Sequence, residues 1–289
     1  MARTLTNITK TRLAPTPSGF LHLGNILSFS ITAMLAREYG AKILLRIDDL
    51  DQARVNKLYL QDIFDTLNFL NVPWDTGPRD VKDFENNYSQ LKRKPLYQQA
   101  LTRLANEGLV YACTCSRSNV GQCTCYKQNI PLTTLNASWH LLTDNNYKID
   151  IRGYHGDTIN AILPAEMHNF LIKKKDGQPA YQLTSVIDDL YFGVDLVVRG
   201  HDLWPSTIAQ HQLAKALGET RFGKISFYHH TILTNDLGKK LSKSASAGSV
   251  NNFRLNSKKP ADVFKAIALM LDITTEVNTW EQLAAAVIV

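Results

Sequence analysis

Between Thr11 and Tyr228, short apolar runs alternate with segments whose apolar positions recur every three or four residues. The runs read as buried strands and the periodic segments as amphipathic helices. Their alternation predicts an α/β architecture with a mainly parallel sheet. Thr11 to Ala14 reads as a first strand, followed by a Pro/Gly turn from Pro15 to Gly19. Ile26, Phe29, Ile31, Met34 and Leu35 then predict a helix that ends near Gly40. Ala41 to Ile47 reads as a second strand, and Asp62 to Leu70 and Leu91 to Ala105 read as helices. From Tyr111 to Gln178 the pattern is less regular, apart from a hairpin at Asp176-Gly177, and the stretch reads as an insertion. Periodicity resumes with a helix over Tyr181 to Leu190, a strand over Asp195 to Val198, a helix over Ser206 to Leu217 and a strand over Ile225 to Tyr228. Asn235 to Gly248 is a polar loop rich in Lys, Ser and Gly; Ala261 to Leu271 and Trp280 to Val287 read as short helices. The organisation expected is a split α/β domain over 1–110 and 180–255, an inserted subdomain over 111–179, and a helical segment over 256–289.

Composition changes this picture little. Apolar residues make up 44% of the 289 positions and charged residues 20%, which fits a globular chain with a sizeable core and excludes a disordered one. The net charge of +6 favours a polyanionic partner such as nucleic acid. No apolar run approaches the roughly 20 residues that span a bilayer. Met1 to Lys10 is polar, without the apolar centre of a signal peptide, so a cytoplasmic protein without a membrane partner is expected. The four cysteines all fall between Cys113 and Cys125. Disulfides staple distant segments, whereas such clustering suits a single metal ion.

Two segments carry candidate chemistry. Arg12 to Asn25 links the first strand to the first helix, where ligands bind in open α/β sheets. Gly19 and Gly24 admit a ligand close to the backbone, the helix N-terminus offers N–H groups to phosphate, and His22 can donate to a phosphate oxygen as charge develops. Taken alone, His22 reads as a capping histidine; the whole string does not reduce to that. Lys239 to Ser244, flanked by Gly238 and Gly248, suits a loop that meets a triphosphate, where a lysine beside the α-phosphate stabilises added negative charge.

Together these segments resemble the HIGH and KMSKS motifs of class I aminoacyl-tRNA synthetases, here His22-Leu23-Gly24-Asn25 and Lys240-Leu241-Ser242-Lys243-Ser244. Arg12 to Gly19 and Arg46-Ile47-Asp48-Asp49-Leu50-Asp51 are similar to the R-F-A-P-S-P-T-G and R-I-E-D-T-D strings of the glutamyl branch. Tyr181-Gln182-Leu183, Val186 to Asp189 and Val198 to Leu203 match that branch in order and spacing. The resemblance implies a Rossmann-like class I synthetase catalytic domain with an inserted acceptor-binding-type subdomain that carries a zinc site. About 45 residues follow Ser244, too few for the anticodon-binding region of a glutamyl-tRNA synthetase. In this the chain resembles the truncated glutamyl-queuosine tRNA(Asp) synthetases, which attach glutamate to the queuosine base at the wobble position.

The resemblance also implies a site. Arg12, Ala14, Thr16, Asp48, Tyr181 and Arg199 stand at glutamate-binding positions; arginines suit a dicarboxylate because they bind carboxylates bidentately. Asp48 replaces the usual glutamate facing the substrate ammonium, and being one methylene shorter it is expected to reach it through water. Pro15, His22, Gly24, Asn25, Asp202, Lys240, Ser242 and Lys243 fall at ATP positions, with His22 and Lys243 catalytic and Mg²⁺ accompanying ATP. The paralogues carry a C-x-C pair, then a tyrosine and a later cysteine. Here Tyr126 stands near the tyrosine position but Ile130 replaces the later cysteine, so the expected zinc ligands are Cys113, Cys115, Cys123 and Cys125. The partners expected are glutamate and a queuosine-bearing tRNA(Asp), met by a monomer. The alternatives are an enzyme that charges the 3′ end of a tRNA, a silent RNA-binding module on a synthetase fold, and a nucleotidylyltransferase.

Overall fold

A computed structural model describes residues 8–116, 123–234 and 248–288. In chain order its elements are β1 (Lys10–Leu13), α1 (Leu23–Tyr39), β2 (Lys42–Leu45), α2 (Lys57–Phe69), the single turn α3 (Val81–Asp83), α4 (Lys94–Asn106), β3 (Val110–Cys113), β4 (Ser138–Leu141), β5 (Lys148–Gly153), β6 (Thr158–Ile162), β7 (Leu171–Lys173), α5 (Tyr181–Phe192), β8 (Leu196–Gly200), α6 (Trp204–Ala216), β9 (Ser226–His230), α7 (Val250–Leu255), α8 (Pro260–Met270) and α9 (Trp280–Val287). They form two compact units. One holds the described residues of 8–92, 195–202 and 228–288, the other those of 93–194 and 203–227.

In the first unit, β1 pairs in parallel with β2, Lys10 to Leu13 lying beside Lys42 to Leu45, and in parallel with β8, where Thr11 lies beside Leu196. Helix α1 makes the crossover between β1 and β2. It is buried nearly all round (Ile26, Leu27, Ile31 and Leu35 have no exposure), as expected of a helix covered on both sides rather than one with a single apolar stripe. It packs against β8, α8 and α9. Gly40 ends it in the left-handed region at φ 66°, its N–H reaching back to the last carbonyls. Trp280 of α9 donates to the Asn71 carbonyl at 3.0 Å and lies under the Arg37 guanidinium.

In the second unit, β3, β4 and β7 form an antiparallel sheet, while β5 and β6 make an antiparallel hairpin whose first strand also runs parallel to the start of β9, Arg152 beside Ser226. Helices α4, α5 and α6 pack in series. Proline sets two of the helix starts. Pro95 and Pro205 have no N–H and are tolerated only in a first turn, so α4 begins at Lys94, not Leu91, and α6 at Trp204, not Ser206. The segment read as irregular, 111–178, holds most of the antiparallel structure. The Asp176-Gly177 turn is present: Gly177 has φ 82° and its N–H meets the Lys174 carbonyl at 3.0 Å. The sequence reading missed α7, which Ser249 caps through the Asn252 N–H.

Candidate active site

The carboxyl ends of parallel β1, β2 and β8 deliver most of the expected site. Arg12 is buried and its guanidinium donates to the Val198 carbonyl at 3.3 Å. The β1–β8 register places Arg12 beside Val197. Arg199, two residues on and equally buried, therefore projects to the same face of the sheet. The Pro/Gly crossover is laced to the chain beyond β2: the Asp48 N–H meets the Pro15 carbonyl at 2.9 Å and the Asn56 N–H the Pro17 carbonyl at 3.2 Å. This holds Ala14, Pro15 and Thr16 alongside Asp48. The Asp48 carboxylate is gripped by Arg46, Nε at 2.8 Å and Nη2 at 3.0 Å, which fixes its direction. Its neighbour Asp49 turns inward and accepts from the Ser89 hydroxyl at 2.6 Å and the Gln90 N–H at 2.7 Å, a structural role.

His22 is the N-cap of α1. Asn25 accepts from the His22 N–H at 3.1 Å, closing the first turn while other N–H groups of that turn stay available for an anion. A side-chain carbon at position 24 would stand 3.0 Å from His22 Cε1, so glycine lets the imidazole lie over the turn. Asp202 follows the end of β8 and is exposed. Tyr181 opens α5 in the second unit and is 47% exposed. Lys240, Ser242 and Lys243 lie outside the described residues.

The cysteines gather in the second unit. Cys113 ends β3, where Ser138 of β4 donates to its carbonyl at 3.1 Å, and Cys125 opens a 3₁₀ turn. Cys113 and Cys123 sulfurs are 3.5 Å apart, Cys115 and Cys125 sulfurs 3.6 Å, and all four lie within 4.8 Å of one another. Those spacings are too long for disulfides and match the roughly 3.8 Å edge of a tetrahedron with Zn–S bonds of about 2.3 Å. The Cys125 N–H points to the Cys123 sulfur at 3.4 Å, the kind of donor that stabilises a metal thiolate. Burial, together with the neighbouring thiols, pushes Cys113 up to about 12, a shift that a bound cation reverses. Tyr126 is 42% exposed, its ring set edge-on to Tyr111.

The family model for the class I tRNA synthetases (E and Q), catalytic domain, matches residues 9–130 and 154–276. The chain belongs to this family. As a class I synthetase it aligns, at 30% identity over 90% of its length, with 99% of a Glutamyl-Q tRNA(Asp) synthetase of Rhodobacter capsulatus. It is 29% identical to a Glutamate–tRNA ligase 2 of Syntrophus aciditrophicus, of which it spans 57%. The crystal structure of a glutamate-tRNA synthetase from Elizabethkingia anophelis shares its fold, with a TM-score of 0.71 at 19% identity over 96% of this chain and 65% of that one. The match takes in the Arg12-to-Asn25 turn, all four cysteines, Tyr181, Arg199 and the Lys240-to-Ser244 motif.

Two residues that meet beside the Gly24 turn were not singled out from the sequence. Ser28, one helical turn beyond Gly24, contacts His230 at the end of β9. A serine four residues after Gly24 and the His229-His230 pair ahead of the lysine-rich loop were the available signals.

Proposed function

We propose that this chain activates glutamate with ATP and transfers the glutamyl group to queuosine at the wobble position of tRNA(Asp). The match with the Rhodobacter capsulatus protein, 99% of which is covered, carries the reading of the acceptor. The buried, same-face pair Arg12 and Arg199 supports a dicarboxylic amino acid.

In the first step the glutamate α-carboxylate attacks the α-phosphorus of ATP and pyrophosphate leaves. Arg12 and Arg199 hold carboxylates, Tyr181 hydrogen-bonds the amino acid, and Ala14 and Thr16 line its path. Asp48, aimed by Arg46, faces the ammonium. Pro15, Gly24, Asn25, Asp202, Lys240 and Ser242 seat ATP, while His22, the α1 N-terminus and Lys243 stabilise charge on the α-phosphate. Mg²⁺, if it accompanies ATP, would supply screening of phosphate charge. In the second step an acceptor hydroxyl takes the acyl group and AMP leaves. The four cysteines hold zinc and shape an inserted acceptor-side subdomain over 111–179. A cytoplasmic monomer completes the reading; no helix among the described residues is long and apolar enough to cross a membrane.

The test is glutamate-dependent ATP–pyrophosphate exchange, followed by mapping of labelled glutamate on tRNA. Attachment should require queuosine and survive oxidation of the 3′-terminal ribose. Equal charging of tRNA lacking queuosine would favour 3′-end charging, which the 29% identity to the Syntrophus ligase supports as a second reading.

A further inference from the structure

Ser28 sits on α1 one turn beyond Gly24. Its hydroxyl lies 3.2 Å from the Gly24 carbonyl oxygen and 2.6 Å from Nε2 of His230. Thr32 donates to the Ser28 carbonyl at 2.7 Å, continuing the ladder along the helix. His230 is 4% exposed, and its Nδ1 is 2.8 Å from the Thr231 carbonyl oxygen. A carbonyl only accepts, so Nδ1 carries the proton and Nε2 of the neutral ring accepts from the Ser28 hydroxyl, whose single proton is shared in a three-centre bond between this ring and the Gly24 carbonyl. The backbone thereby fixes the tautomer. Burial holds the imidazole below its ordinary value, against the opposing pull of the Thr231 carbonyl and of Asp202, the charged group that faces it across Gly200.

Gly24 is also the platform beneath the His22 ring, which a side chain there would meet at 3.0 Å. The line His230–Ser28–Gly24–His22 thus runs from a buried strand end to the imidazole at the helix N-terminus. His22 is held at its backbone as well, through its bridge to Ser249 and the 2.8 Å bond from the Val250 N–H to the Leu21 carbonyl.

We propose that His230 is a positioning residue for the nucleotide end of the site: through Ser28 it fixes the Gly24 turn, and with it the His22 imidazole, in the orientation that meets the phosphates of ATP. The proposal rests on the reading that His22 and Gly24 face ATP. Serine inside a helix satisfies itself on the carbonyl four residues back and loosens the turn. A second, buried partner removes that freedom, and electrostatic stabilisation of a transition state depends on donors already in place.

The test uses the full chain with Ser28→Ala, His230→Asn, His230→Gln and the Ser28→Ala/His230→Asn double variant. Asparagine reaches the Nδ1 position and keeps the Thr231 bond but not Ser28. Glutamine reaches the Nε2 position and accepts from Ser28. Loss of one such hydrogen bond predicts a fall of about tenfold in the kcat of glutamate-dependent exchange for Ser28→Ala and His230→Asn, with the KM for glutamate unchanged. The double variant should be no worse than either single one, and His230→Gln should recover most of the rate. Multiplying defects in the double variant, or a wild-type rate in His230→Asn, would overturn the proposal. Equilibrium binding of ATP alone separates it from the reading beneath. If the wild type binds ATP but shows no glutamate-dependent exchange, the glutamate reading falls. A shared, non-additive loss of ATP affinity in the variants then still supports the brace, and equal affinities overturn it.

Discussion

Asp188 belongs to a string that matches the synthetase pattern, and its carboxylate is wholly buried. It accepts from Arg93 Nε at 2.7 Å and Nη2 at 3.0 Å and from the Tyr97 hydroxyl at 2.7 Å, with both ion-pair side chains almost wholly buried. Arg93 also lies over the Phe192 ring. Such a pair is costly to break from one side, because the remaining charge stays buried without its partner. Arg93→Ala is therefore expected to destabilise the protein by about 3–5 kcal/mol, read as a lowered urea midpoint. Gly24→Ala is a different single-residue case. Its backbone needs no left-handed conformation, and the added carbon meets only the His22 ring. The expected outcome is a loss of at least roughly tenfold in pyrophosphate exchange with the unfolding free energy in urea within about 0.5 kcal/mol of wild type. A normal exchange rate would remove His22 from the chemistry.

Among the elements, the cysteine loop after β3 makes the sharpest claim. Four thiols at tetrahedral spacing imply about one zinc per chain in protein purified without chelators, and loss of that zinc in Cys123→Ser. Elemental analysis decides it; metal-free protein with four titratable thiols would refute it. Helices were the most legible elements, because α5, α8 and α9 carry apolar periodicity, α1 is a long apolar-rich run, and they end or begin at Gly40, Gly193, Pro260 and Thr279. The strands within 111–178 were illegible for a physical reason. β4 is buried along its whole length, so its residues do not alternate, and β7 is three residues long. A two-residue period appears in β5, whose buried and outward positions alternate.

At the scale of the whole molecule, two buried histidines tie stability to pH. His140 in β4 donates from Nδ1 to the Asn169 carbonyl at 2.7 Å, and burial depresses it as it does His230. Both folded values lie below the ordinary 6.5, so the unfolded chain binds more protons as pH drops through that value. Their contribution is present above it and lost below. The urea midpoint should fall between pH 7.5 and 5.5; a flat midpoint over that range would show that these rings stay neutral at no cost. The +6 net charge adds that RNA binding should weaken as salt rises, since cationic contacts release counterions from phosphate.

Local chemistry was written in the chain. Glycine and proline placed the turns, apolar spacing placed the helices, and the order of the Arg12-to-Asn25, Arg46-to-Asp51 and Lys240-to-Ser244 strings pointed to the synthetase family, because these signals act within one or two turns of backbone. What the tertiary structure alone decided depends on residues far apart in sequence. The register of β1 against β8 puts Arg12 and Arg199 on one face, the fold pairs buried Asp188 with Arg93, and β9 brings His230 to Ser28 across 202 positions. No spacing in the sequence encodes those meetings, since each is set by which strands pair and which side chains water is excluded from.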